Sequence, residues 1–194
     1  MRVSAEEFRA LDVEVHAFLT DVALRDVSAI DLPGGGDGRS IADVLALLAR
    51  ESPTTSTLPL RFLFSLRLWL GRLFGWDRAV HEHPGDSYVG RLSEEQRVRS
   101  LANPGTPDGP FRLLYRFPLE SLSEIRNATV HAFSCMVIQR TVDGYRFYWA
   151  IYVKNVSRLT PVYMALIEPF RRFVVYPTIL RRLRGAWLDT HASR

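Results

Sequence analysis

The clearest pattern along the chain is the apolar-rich pair of runs in residues 129–155, TVHAFSCMVIQRTVDGYRFYWAIYVKN, interrupted by Asp143-Gly144. Two β-rich runs joined by Asp-Gly are a strong hairpin signal, because a type I′ turn needs positive φ at both central residues. With Asp143 and Gly144 as the two-residue loop, Val142 faces Tyr145 and Arg140 faces Phe147. Ile138 then faces Trp149, Met136 faces Ile151 and Ser134 faces Val153. This is the more apolar face. The other face sets Gln139, Val137, Cys135 and Phe133 against Tyr148, Ala150, Tyr152 and Lys154, and is expected to be half wet or covered by something else.

The period then changes. Over 160–187, Tyr163, Leu166, Ile167, Phe170, Phe173, Val174 and Pro177 fall on one helical stripe, with Glu168, Arg171, Arg172, Arg181 and Arg182 mostly opposite. Thr160-Pro161 suits a helix start, and Gly185 a stop. Arg181, Arg182 and Arg184 complement the dipole at the far end. Pro169 and Pro177 each remove a helix hydrogen bond, so kinks are expected. The stripe predicts that this helix lies over the more apolar hairpin face.

Upstream, Ser4 and Glu7 form a capping-box pattern that opens a helix over roughly 5–20. Residues 23–32 read as a strand and 33–38, ProGlyGlyGlyAspGly, as a flexible loop. That loop lacks the lysine and spacing of a phosphate loop. Ser40 and Asp43 start a helix from Ile41 to Arg50. Residues 58–76 are the most apolar stretch, but Arg61, Arg67 and Arg72 argue against a membrane span. They predict an amphipathic helix with a wide apolar face, buried or lying at a membrane interface. His81, Glu82 and His83 sit in a polar loop with no third metal ligand apparent. Short strands are expected over 87–92, 111–117 and 119–126, with a loop at 103–110.

Composition narrows the picture modestly. The 194 residues suit one sizeable domain. The net charge is +4, carried almost wholly by arginine, with Lys154 the one lysine. The basic residues are not interleaved with aromatics as in nucleic-acid modules, so no nucleic-acid partner is expected. The single cysteine, Cys135, excludes an intrachain disulfide and a cysteine-built metal site. The charged, polar N-terminus does not read as a signal peptide, so a cytoplasmic protein is expected.

The order of strand, two helices, antiparallel strands and long C-terminal helix resembles the helix-grip fold of the START-like, or SRPBCC, superfamily. Residues 158–175, RLTPVYMALIEPFRRFVV, resemble the C-terminal signature of a bacterial domain-of-unknown-function family placed there. Tyr163, Leu166, Ile167, Pro169, Phe170 and Arg172 stand at its positions. Residues 58–76 resemble that family's second helix. Pro161 and Arg171 depart from it, standing where relatives often have glycine and histidine. The resemblance implies an α+β fold, a curved antiparallel sheet wrapped around the long C-terminal helix. It covers most of 22–187, giving a helical extension over 1–21, one domain over 22–190 and a tail over 191–194.

The resemblance also implies an apolar cavity for a hydrophobic or amphipathic small molecule, lipid-like or polyketide-like. The helix would supply Tyr163, Leu166, Ile167, Phe170, Phe173 and Val174. The sheet would supply Met136, Ile138, Phe147, Trp149, Ile151 and Val153. Phe62, Leu66 and Trp69 would close one end. The competing reading is that the same side chains form a filled core. Superfamily relatives include cyclases and hydrolases, so His131, Tyr148, Tyr163 and Glu168 are the residues to weigh for acid–base work. No nucleophile–base pair stands at a recognisable spacing, and no catalytic residue, metal or cofactor is assigned. Two further partners follow: an anionic membrane surface for the arginine cluster, and a reductase-like protein, since relatives are sometimes fused to such a domain.

Overall fold

The computed structural model describes residues 3–50, 87–126, 130–156, 165, 168–169 and 171–191. The 58–76 helix with Phe62, Leu66 and Trp69, the His81–His83 loop, and Tyr163, Leu166, Ile167 and Phe170 lie outside them. Val174 is described by its backbone alone.

The described chain runs α1 (Ala5–Arg9), α2 (Val15–Phe18), β1 (Ala23–Pro33), α3 (Ile41–Arg50), a 3₁₀ turn (Tyr88–Arg91) and α4 (Glu94–Arg99). It continues through β2 (Pro107–Asp108), β3 (Phe111–Arg116), β4 (Glu120–Arg126), β5 (Val130–Thr141) and β6 (Gly144–Asn155). A π-turn (Arg171–Val175) then leads into α5 (Tyr176–His191). The strands form one open antiparallel sheet in the order β1-β6-β5-β4-β3-β2.

The hairpin forms, but its register lies two residues from the expected one. Ile138 pairs with Phe147, Met136 with Trp149, and Thr141 with Gly144, leaving Val142 and Asp143 as the loop. Among the described residues no non-glycine residue, Val142 and Asp143 included, has positive φ, so the turn is not type I′. Gly144 instead opens β6 at φ 149°, where an added Cβ would lie 2.5 Å from the Leu32 carbonyl oxygen and 2.6 Å from the Gly34 nitrogen. The glycine serves the close approach of β1 rather than the turn. An even shift preserves which residues share a face.

The first face carries Leu32, Ile138, Phe147, Ile151 and Val153 beneath α3 and α5, packed with Ile41, Val44, Leu180, Leu183 and Trp187. Met136 and Trp149 are partly buried at its margin. Of the two outcomes expected for the second face, Phe133, Cys135, Val137, Tyr148 and Tyr152, the structure has the covered one. Phe8, Val15 and Leu19 of the N-terminal segment and Tyr88 of the 3₁₀ turn cover it. The sheet is thus the middle layer of three. The N-terminal helix is broken into α1 and α2. Ser4 caps α1 by accepting from the Glu7 N–H at 3.0 Å. The Glu7 carboxylate does not close the box: it pairs with Arg146 at 3.0 Å and accepts from the Tyr148 hydroxyl at 3.2 Å. Residues 88–91 form a 3₁₀ turn rather than a strand, because Ser87 accepts from Val89 N–H and starts it. Ser93 and Gln96 then make a full capping box for α4.

The C-terminal helix departs most from its expected form. Helical spacing places Phe173 on the sheet-facing stripe; it is 70% exposed. The π-turn at Arg171–Val175 adds a residue to the turn just before Pro177, which has no N–H to return to the Phe173 carbonyl. Phase is lost there, and a new stripe begins: Tyr176, Leu180, Leu183 and Trp187, all buried. Gly185 is no stop. It is exposed, an added Cβ would meet nothing within 4 Å, and the helix runs on to His191. Trp187 holds that last stretch: it is fully buried, donates from Nε1 to the Pro33 carbonyl at 3.1 Å, and fills the space where a side chain at Gly35 would stand. The glycine-rich loop is therefore pinned, with the Tyr145 hydroxyl donating to the Gly36 carbonyl at 3.0 Å.

Candidate functional site

Where β1 runs past the start of α5, the two elements leave a cleft of about 260 Å³. Alternation along β1 directs Asp26, Ser28 and Ile30 to the first face, opposite Ile151, Trp149 and Phe147 on β6. Tyr176, Pro177 and Leu180 line the helix side. Glu168, Arg172 and Arg181 complete the described lining. Its character is mixed: apolar at Ile30, Pro177 and Leu180, polar at Ser28 and Tyr176, and charged elsewhere.

One wall is an ion-pair network. Arg171 sets Nη2 3.0 Å from Asp26 Oδ2 and donates from Nε to the Tyr176 hydroxyl at 2.9 Å. A second contact joins Arg171 Nη2 to the same hydroxyl. The network ties the π-turn to β1, so the proline-associated bend and the strand edge hold a fixed geometry. Burial drives the Tyr176 hydroxyl well above its ordinary pKa, against the pull of Arg171, so it remains a neutral phenol. Burial works against the Arg171 cation, but Tyr176 and Asp26 outweigh it and hold its pKa above the ordinary value. Trp149 packs edge-on to the Tyr176 ring at 5.2 Å and donates from Nε1 to Ser134 Oγ at 2.8 Å. At the rim, Glu168 pairs with Arg25 at 2.8 Å.

Among the described residues expected to line a cavity, Ile138 and Phe147 are fully packed core beneath α5. Met136, Trp149, Ile151 and Val153 belong to the same cluster, and none of the six lines the cleft. Phe173 faces away from the sheet into the open. Sequence reasoning set Glu168, Arg172 and Arg181 on the helix's polar side, yet all three border the cleft. It missed Asp26, Ser28, Ile30 and Leu180. The signal was present in the alternation Asp26-Ser28-Ile30-Leu32 and in the spacing Tyr176-Leu180-Leu183-Trp187.

The remaining residues considered for acid–base work lie elsewhere. His131 is buried on the second face, 2.8 Å from Glu124, which also accepts from the Ser87 hydroxyl and from Tyr88 N–H at 3.1 Å. Burial pushes the Glu124 carboxyl up, but the donors from His131, Ser87 and Tyr88 outweigh it and hold the pKa below its ordinary value. Glu120, four residues away, accepts from Glu14 N–H at 2.8 Å, Val15 N–H at 2.9 Å and the Tyr115 hydroxyl at 2.6 Å. Burial there wins, and its pKa is raised. Each carboxylate receives the start of a short helical segment and fixes that segment on the sheet. They are structural posts. Tyr148 is held by Glu7 on the same face. Among the described residues no group of three or more metal-ligating side chains gathers, and no helix is long and apolar enough to cross a membrane.

An open six-stranded antiparallel sheet with a C-terminal helix over one face, and a mixed-polarity cleft where helix meets edge strand, defines an α+β protein of a form compatible with a helix grip. The chain belongs to the family described as protein of unknown function (DUF2867), whose family model matches residues 18–178. The match spans β1 through the first residues of α5 and includes the whole ion-pair network. No curated protein and no solved structure matches the chain.

Proposed function

We propose that this protein is a helix-grip, SRPBCC-like binding module that takes a hydrophobic or amphipathic small molecule between its C-terminal helix and its sheet. The observation that carries the reading is the cleft of about 260 Å³ between β1 and α5. It combines an apolar surface at Ile30, Pro177 and Leu180 with a few convergent polar groups, the usual makeup of a small-molecule site. The element order and the family's C-terminal signature support the same reading. The site sits beside the packed first face, whose core residues Ile138 and Phe147 do not line it.

Native mass spectrometry of the purified protein, compared with its denatured mass, tests this. The expected result is a non-covalent adduct of metabolite or lipid size, lost on denaturation and lost in Ser28→Leu, which fills the cleft from β1. A bare mass after incubation with cell extract, or an adduct indifferent to Ser28→Leu, contradicts the reading.

A further inference from the structure

We infer that the cleft's ligand carries an anionic head group, a carboxylate or phosphate, received by Arg172 and Arg181 above a short apolar tail. The inference rests on the binding reading above and adds the ligand's chemical class. Both acidic side chains of the lining already face a cation: Asp26 faces Arg171 at 3.0 Å and Glu168 faces Arg25 at 2.8 Å. Arg172 and Arg181 have no acidic partner among the described residues; counting those residues alone, the four arginines Arg25, Arg171, Arg172 and Arg181 face two carboxylates, Asp26 and Glu168, a surplus of two positive charges. Their guanidinium forks match carboxylate and phosphate oxygens and can engage them bidentately. Arg172 is steadied from outside by the Phe173 ring, 5.3 Å from its guanidinium carbon. Arg182 and Arg184 on the same helix add to the positive field.

The apolar part is short. The volume of about 260 Å³ falls just below the roughly 300–1,000 Å³ usual for drug-sized ligands. Ile30, Pro177 and Leu180 offer one continuous side of it, and Ser28 and Tyr176 offer only neutral hydroxyls there. A cationic amphiphile would meet two guanidinium groups, and a neutral one would leave them without an anion.

Calorimetric titration of the full chain with octanoate, octyl phosphate, octanol and octylammonium near neutral pH tests the inference. Octanoate and octyl phosphate are expected to bind about tenfold or more tightly than octanol, in line with charge-assisted hydrogen bonds. Arg172→Gln/Arg181→Gln should bring the anions to within about twofold of octanol and leave octanol unchanged, since both side chains are exposed and the tail contacts remain. Equal affinity for octanol and the anions, or anion affinity untouched in the double variant, overturns the head-group inference while the cleft reading stands. If none of the four probes binds, the cleft reading itself fails. Flotation with phosphatidylglycerol vesicles but not phosphatidylcholine vesicles, lost in the double variant, assigns the head group to a bilayer lipid. Octanoate binding without flotation assigns it to a free acid. Either result sustains the inference.

Discussion

Glu120 and Glu124 show how single buried carboxylates organise this chain. Glu120 is 4% exposed and surrounded by donors. Replacing it with glutamine turns an amide N–H₂ toward the backbone N–H of Glu14 or of Val15, which can only donate, leaving a buried donor unmatched. Glu120→Gln is expected to cost about 1.5–3 kcal/mol in urea unfolding at neutral pH, against less than about 0.5 kcal/mol for the exposed control Glu95→Gln. A change at position 120 no larger than the control contradicts the role as a post. Glu124 makes a pH prediction. Its native pKa lies below its ordinary value of 4.5, so its contribution is present above that value and is lost as pH falls through the native pKa. Glu120, shifted upward, acts in the opposite sense: its share favours the native state at lower pH and is lost as pH rises. Urea midpoints followed from about pH 6 to 3 should fall less steeply for Glu124→Gln than for the parent chain. Equal slopes would show that Glu124 does not carry the acid sensitivity.

At the scale of elements, two glycines separate what the sequence could and could not say. Asp143-Gly144 marked the hairpin, and the hairpin exists. Its turn was misplaced because the glycine answers to a tertiary contact, the approach of β1, which no local rule contains. Gly185 suits a helix stop by local rules, yet Trp187 two residues on is buried and carries the helix past it. The two sites therefore predict opposite signs. Gly144→Ala is expected to destabilise by more than about 1 kcal/mol, because its Cβ would meet backbone that cannot yield at a φ unfavourable to alanine. Gly185→Ala, in an exposed helix interior with open space around it, should stabilise by about 0.5–1 kcal/mol. Thermal unfolding of both variants reads the difference, and a stabilising Gly144→Ala would refute the packing account. The π-turn was half legible: Pro177 announces a bend, but not that Phe173 would stand exposed before it and a buried stripe begin at Tyr176 after it.

For the molecule as a whole, the face that lies under the C-terminal helix could be read from alternation alone, because an even register error leaves faces unchanged. The covering of the second face could not, since α1 and α2 are too short to announce what they pack against. Nor could the cleft. It needs β1 beside β6 and the π-turn tied to Asp26, and both are contacts between residues more than a hundred positions apart. The same long-range closure makes Trp187 a keystone. Trp187→Ala is expected to cost about 3–5 kcal/mol, as for large aromatic truncations in cores, and to release the 33–38 loop. Urea unfolding with amide exchange at Gly34–Gly38 checks both effects; an unchanged midpoint would show that the last turns of α5 are dispensable.

The central claim is that ligand enters between β1 and α5, and amide chemical-shift mapping of the intact protein during titration with octanoate tests it most directly. The account predicts shifts concentrated at Asp26 to Ile30 and at Tyr176 to Arg181, with Phe133, Cys135 and Tyr152 on the second face unmoved. Shifts centred on the second face, or none anywhere as octanoate is raised, would contradict it.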